Sequence, residues 1–368
     1  MSPEVLLIKN GLVVTKNGQQ MSSVLIKNGR IEDINDSNLG TDELDCTIID
    51  ASGCYVTPGL IDLQVNGSPK CNLWADPSAN ELEDLRRQMI ECGVTSFLPT
   101  LITDDIDHLN KNISFLNANG VGMKETNGET DLARMPGIHL EGPFLSAQRP
   151  GVHPPQHIKP LNLQNVKQVS CENVKLMTVA PETDVSGEAI DWLMKQNIEV
   201  SLGHSNADLN QAQSAFDRGV KLVTHLFNAM PPLHHRSPGA VGATFLDDKV
   251  TACIIADGLH LSADAVKLIY KIKGPDKTIL VTDIATVGTK DGGLVGSSIT
   301  LDQAVLNMVS WNVCDFATAI KMASTNPAKA VHLDSLGSIE KGKLADMLIW
   351  DKNSLKLKNK ILGGKLLA

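Results

Sequence analysis

A chain of 368 residues, 42% hydrophobic and 20% charged, has a globular composition and is long enough for one large domain or two ordinary ones. Its net charge of -9 and pI near 5.6 exclude a broad nucleic-acid surface, which needs clustered Lys and Arg, but leave room for a local basic pocket holding one small anion. Seven scattered cysteines without a CxxC pair exclude a disulfide framework and a cysteine zinc site. No apolar run reaches the roughly 18 residues of a membrane span and the N-terminus lacks a leader pattern, so the expectation is a soluble, cytoplasmic protein.

The first 50 or so residues read as short strands. VLLIKNG, LVVTKNG and VLIKNGR carry Asn-Gly pairs at Asn10-Gly11, Asn17-Gly18 and Asn28-Gly29, which predict turns in a small antiparallel sheet. The rhythm then changes to strand and helix. Strands are predicted over residues 59–66, 94–100, 137–141, 174–180, 198–204, 220–225, 250–257 and 278–283. Helices separate most of them. SANELEDLRRQMIECG puts Leu82, Leu85, Met89 and Ile90 on one face, with Ser78 or Asn80 as N-cap and Gly93 past the end; residues 206–219 repeat the device with Leu209, Ala212 and Phe216. Eight strands with intervening helices predict a (β/α)8 TIM-type barrel over residues 56–336. A doubly wound sheet is the alternative, against which no GxGxxG loop follows the first strand. The end of the chain returns to strands, with a turn at Gly363-Gly364, so residues 1–55 and 337–368 are expected to form a small β-sandwich domain together.

In such barrels the C-terminal strand ends build the active site. Those positions hold Gln64 and Asn66 on the first strand, Glu141 on the third, His204 on the fifth, His225 on the sixth, Asp257 to His260 after the seventh and Asp283 on the eighth. A lone strand-end His is ordinarily a hydrogen-bonded structural residue, and a lone Asp a helix cap. Together, Glu141, His204 and His225 offer one carboxylate and two imidazoles, the donor set of a catalytic zinc site with a position open for water. Asp283 lies close enough to take a proton from that water, which implies metal-activated hydrolysis. Arg236, with His234 and His235 in LHHRSPG, and His260 in DGLH suit a phosphate monoester.

The ordered series HLEGPFLS, RPGVHPP, SLGHSNA, THLFNAMPPLHHRSPG, IADGLH and VTDIA resembles that of the N-acetylglucosamine-6-phosphate deacetylases of the amidohydrolase superfamily, and GSIEKGKLADMLIWD resembles the superfamily's strand returning to the β-domain. The resemblance implies removal of acetate from N-acetylglucosamine 6-phosphate. It makes Glu141, His204 and His225 the metal ligands, Asp283 the acid/base, and His153 the group that polarises the amide carbonyl. It also implies sugar contacts from Val152, Asn228 and Ala229, a substrate-contact motif at Leu294, Val295 and Gly296, and a phosphate clamp of Arg236 and His260 shared across a homodimer. Many amidohydrolases carry a His-x-His pair at the end of strand 1 for a second metal. Here Gln64 and Asn66 stand there, so one divalent ion per subunit is expected, Zn first and Fe or Co as alternatives.

Two departures from the family pattern stand out. The stretch between Asp283 and Gly296-Ser297 is short, which puts a β-hairpin lid in question, and NGSPKCNLW replaces a glycine-rich loop after strand 1, with Cys71 read as incidental. The rival readings are a related amidohydrolase acting on another N-acyl substrate and a sugar-phosphate-binding homologue whose catalysis is impaired by the short loop.

Overall fold

The computed structural model describes residues 5–16, 18–35, 46–122, 131–285, 289, 290 and 293–367. In chain order the strands begin with β1 (Val5–Thr15), β2 (Gly18–Lys27), β3 (Arg30–Asn35), β4 (Thr47–Asp50) and β5 (Cys54–Pro58). The barrel follows with β6 (Leu60–Val65), a short ladder of β7 (Gly67–Ser68) and β8 (Cys71–Asn72), then β9 (Val94–Ile102), β10 (Ile138–Glu141), β11 (Val174–Val179), β12 (Glu199–Leu202), β13 (Leu222–Val223), β14 (Thr251–Ile254) and β15 (Thr278–Leu280). A hairpin of β16 (Thr289–Lys290) and β17 (Gly293–Leu294) precedes β18 (Met347–Asp351), β19 (Leu357–Leu362) and β20 (Lys365–Leu366).

All eight predicted barrel strands are present and lie side by side in the order β6, β9, β10, β11, β12, β13, β14, β15. Their pairings are parallel throughout. Most paired stretches are shorter than the apolar runs, as in β12, β13 and β15, where the last residues leave the ladder toward the barrel mouth; β9 instead runs two residues past its predicted end, and Glu141 stays paired at the end of β10. At the seam between β6 and β15 the backbone pairing shrinks to one parallel bridge, Val65 with Ile284, and a side chain supplements it. Buried Asp62 accepts from the Thr282 hydroxyl at 2.6 Å and from the Thr282 amide at 3.3 Å, and Asn66 N–H donates to Ile284 O at 2.8 Å. A polar layer of His139, Thr178, Thr224 and Ser201 runs through the barrel interior, with hydroxyl contacts of 2.6–2.8 Å.

Helix α1 (Ala79–Glu91) starts at Ser78, whose hydroxyl takes the Glu81 amide while Glu81 reaches back to the Ser78 amide, a capping box worth about 1 kcal/mol. It buries Leu82, Leu85, Met89 and Ile90, the predicted face. Helix α2 (Ile106–Ala118) follows the second barrel strand. Two short helices, α3 (Leu163–Val166) and α4 (Glu188–Lys195), flank β11 and precede α5 (Leu209–Asp217). The last of these is capped by Asp208 and buries Ala212, Ala215 and Phe216.

The two chain ends share one sheet, as expected: β5 pairs with β1 on one side and with β18 on the other. It is mixed rather than purely antiparallel, because β1 runs parallel to β4 and β5. Its two layers arise from one sheet curling until its ends meet, with Ala345 N–H bound to Gly29 O and Gly364 N–H to Ala345 O. Asn28-Gly29 makes the expected β2–β3 turn. Asn10-Gly11 does not turn the chain. It forms a bulge inside β1, where Asn10 has φ 58° and a Cβ on Gly11 would sit 2.4 Å from Val56 Cγ2. Asn17 lies outside the described residues. A buried ion pair ties this sheet to the barrel: Arg134 Nε and Nη2 meet the two Asp346 carboxylate oxygens at 2.9 and 3.2 Å.

Candidate metal centre and catalytic site

Glu141 is the last residue of β10, while His204 and His225 stand just beyond β12 and β13 and Asp283 just beyond β15. His204, His225 and Asp283 have φ of 46°, 29° and 53°, a left-handed backbone that is sparsely populated by non-glycine residues and concentrated at functional sites. Gly151 is needed on the facing loop, since its φ is 55° and a Cβ there would lie 2.9 Å from the His204 ring. All four side chains are nearly buried, with Asp283 the most open at 9% exposure.

His225 Nε2 lies 2.9 Å from Glu141 Oε1 and 3.2 Å from His204 Nε2, and His204 Nε2 lies 3.3 Å from Glu141 Oε1. Donors around a tetrahedral zinc at 2.0–2.1 Å are separated by roughly 3.3 Å, so the triangle fits such an ion. The donor chemistry agrees. His204 Nδ1–H donates to Arg149 O at 3.0 Å, which leaves the Nε2 lone pair facing the triangle. Two imidazole nitrogens facing each other beside a carboxylate call for a cation between them. Burial alone would raise the Glu141 carboxyl, but the two histidines beside it outweigh that and hold it well below the usual carboxylate range.

By distance alone Glu141, His153 and His204 also converge, their ligand atoms within 4.8 Å of one another and His153 Nε2 3.8 Å from Glu141 Oε2, so hydrogen bonding must separate His153 from His225 as the third candidate ligand. The Nδ1 of His153 accepts the Thr103 backbone N–H at 3.2 Å and contacts the Thr103 hydroxyl at 2.9 Å. The neutral ring therefore carries its proton on Nε2, which makes that atom a donor and not a metal ligand. Burial, with the nearby His204, pushes its pKa down to about 3, so the ring stays neutral.

Gln64 and Asn66 face the two carboxylates. Gln64 Nε2–H donates to Glu141 Oε1 at 3.0 Å and Asn66 Nδ2–H to Asp283 Oδ1 at 2.7 Å. Burial, with the charge of Glu141, pushes the Asp283 carboxyl up to about 7. The two carboxyls are thus driven in opposite directions, Glu141 down and Asp283 up, by surroundings of different kind.

Glu141, His153, His204, His225 and Asp283 line a cavity of about 160 Å³ together with Val152, Asn228, Ala229, His260 and Gly296, while Gln64 and Asn66 sit behind the two carboxylates. His260 Nδ1 is held by Asp257 Oδ2 at 2.7 Å. Two expected substrate contacts lie elsewhere, and the side chain of a third, Leu294, lies outside the described residues. Arg236 is exposed on the loop before α6 (Gly239–Leu246) and does not line the cavity, and Val295 is buried outside it. The hairpin in question after Asp283 is present in short form, as β16 paired with β17. Thr103, Arg149 and Trp74 were not anticipated. Thr103 follows β9 directly, so the strand-end rule points to it, whereas Arg149 acts through a backbone carbonyl that no side-chain pattern reveals. Cys71 is buried and its thiol is pushed up to about 12, first by burial, in keeping with an incidental role.

A larger cleft of about 1050 Å³ opens at the opposite end of the barrel, near the strand entries marked by Lys221, Lys249 and Lys277. Several of its lysines are tied down, Lys16 and Lys343 to Glu340 and Lys321 to Asp276. Among the described residues the converging ligand atoms lie only at the smaller cavity. Also among the described residues, no helix is long and apolar enough to cross a membrane.

Residues 55–367 match the amidohydrolase family. The chain is 32% identical over 378 residues to the N-acetylglucosamine-6-phosphate deacetylase of Lysinibacillus sphaericus, with 95% of each chain covered. It is 33% identical over 381 residues to that of Bacillus subtilis, with 94% of this chain and 93% of the relative covered. The crystal structure of the Pasteurella multocida N-acetylglucosamine-6-phosphate deacetylase superposes with a TM-score of 0.88 at 28% identity, covering 99% of this chain and 100% of the other. With its barrel, its mouth chemistry and its full-length likeness to these deacetylases, the chain belongs to the amidohydrolase family.

Proposed function

We propose that this protein deacetylates N-acetylglucosamine 6-phosphate, giving glucosamine 6-phosphate and acetate. The observation that carries the reading is the Glu141–His204–His225 triangle with Asp283 beside it, in a chain similar over nearly its whole length to curated deacetylases of that substrate. In this reading Glu141, His204 and His225 hold one divalent ion, zinc by donor type. Bound there, such an ion supplies Lewis acidity toward a carbonyl and toward water.

The protein's own groups do the rest. Asp283 accepts a proton from the attacking water as its oxygen bonds to the acetyl carbon. The carbonyl oxygen gathers negative charge, and His153 Nε2–H donates to it. Asp283 then returns the proton to the sugar nitrogen as the C–N bond breaks, releasing acetate and the amine. Asn228 and Ala229 hold the sugar, with Val152 and the turn at Gly296 beside it. His260 takes the phosphate, joined by Arg236 of a second subunit; the exposure of Arg236, Leu233 and Leu259 supports a homodimer. The division into residues 1–55 with 337–368 and residues 56–336 makes the barrel the catalytic unit, and the expected compartment is the cytoplasm.

Purified protein with one equivalent of zinc is expected to release acetate from the phosphosugar, followed by a coupled acetate assay, and to bind one ion per chain. Equal rates on unphosphorylated N-acetylglucosamine would favour another amidohydrolase, and no acetate with any of Zn, Fe or Co would favour a binding protein.

A further inference from the structure

The segment from Asn66 to Trp74 folds back on itself through the two-residue ladder of β7 and β8, and Leu73 N–H returns to Asn66 O at 3.2 Å. This brings half-buried Trp74 to the cavity wall, with its indole Nε1–H 3.3 Å from Asn66 Oδ1. Asn66 in turn donates from Nδ2 to Asp283 Oδ1. The three side chains thus form a directed chain from indole to amide to carboxylate.

A side-chain amide has a donating and an accepting end of nearly equal shape, so its direction is set by its neighbours. An indole N–H can only donate, and it therefore holds the oxygen end of Asn66 toward Trp74 and the NH2 end toward Asp283. With the amide reversed, an oxygen would face the carboxylate and an NH2 the indole N–H, losing both bonds.

We infer that Trp74 is a positioning residue for Asp283, acting through Asn66, and that the loop unlike the family pattern after the first barrel strand aligns the acid/base as well as walling the cavity. The inference rests on the reading of Asp283 as the acid/base group.

Trp74→Phe keeps an aromatic ring and removes the N–H, and is expected to lower kcat about 3- to 10-fold, the worth of one hydrogen bond, with KM within about twofold of wild type. Asn66→Ala is expected to lower kcat at least as much, and the double variant to be no slower than Asn66→Ala alone, because Trp74 then has nothing to act through. The Trp74 indole N–H resonance, one of four and identified by its loss in Trp74→Phe, is expected to shift in Asn66→Ala protein without substrate. An unchanged kcat in Trp74→Phe, losses that multiply in the double variant, or an unmoved indole resonance would each overturn the inference. Should Trp74→Phe fail to fold, Asn66→Ala leaves the indole in place, and a shift in one of the four resonances or in none decides the matter. Near-normal turnover by Asp283→Asn sinks the reading of Asp283 instead, an outcome the indole resonance does not depend on.

Discussion

Glu141 and Asp346 are both carboxylates buried in this chain, one at the barrel mouth and one where the barrel meets the curled sheet. Asp346 is compensated from within the protein: a forked guanidinium from Arg134 covers both oxygens, and the Gly363 N–H adds a third donor at 2.6 Å. Glu141 has an amide N–H from Gln64 and then two imidazole nitrogens that oppose each other at 3.2 Å. The first cluster is complete without a partner and serves architecture, whereas the second has the donor set that a divalent cation would complete. Asp62 gives a third solution: its partners are the Thr282 hydroxyl and the Thr282 and Gln64 amides, with no cation among the described residues, and burial, ahead of these hydrogen bonds, pushes its pKa up to about 6.

Breaking each cluster is expected to have a different consequence. At the mouth, Asp283→Asn is expected to lower kcat by about 10²–10⁴-fold with metal content and substrate affinity kept, read by steady-state kinetics and metal analysis. His204→Ala, by contrast, is expected to lose the ion itself. At the sheet junction, Arg134→Met leaves Asp346 buried without its cation and is expected to cost about 3–5 kcal/mol of stability without changing metal stoichiometry. Arg134→Met with Asp346→Leu is expected to recover most of that loss in thermal unfolding.

Removing the ion with a chelator is expected to lower stability by about 3–4 kcal/mol relative to protein in metal at 100 to 1,000 times its Kd, restored by one equivalent of zinc. The same treatment of His204→Ala is expected to shift nothing. The smallest effect belongs to Asp62. Its folded pKa lies above the ordinary aspartate value, so the folded state holds the proton longer and stability falls as pH rises from about 4 to 6. Asp62→Asn is expected to remove that slope, a difference under about 3 kcal/mol, read by thermal unfolding across the same pH range.

Much of the barrel was legible because apolar runs ending in polar residues mark strands whose C-terminal ends face a site. Glu141, His204, His225 and Asp283 all stand at such ends. Asn10-Gly11 was misread as a turn because Asn-Gly looks the same in a bulge, and only the close approach of Val56 to Gly11 separates the two. Gln64 and Asn66 were visible as a polar pair on one strand face, but what they touch depends on residues 77 and 217 positions away.

The sequence alone therefore determined which residue types stand at the barrel mouth and that two amides occupy the end of strand 1, because strand periodicity and topology put them there. Tertiary structure decided the direction of each hydrogen bond. That His204 presents Nε2 as an acceptor depends on the Arg149 carbonyl, and that His153 presents Nε2–H depends on the Thr103 backbone amide. Histidines identical in composition present an accepting or a donating Nε2 according to which backbone group meets Nδ1, and that meeting is made by the packing of distant segments.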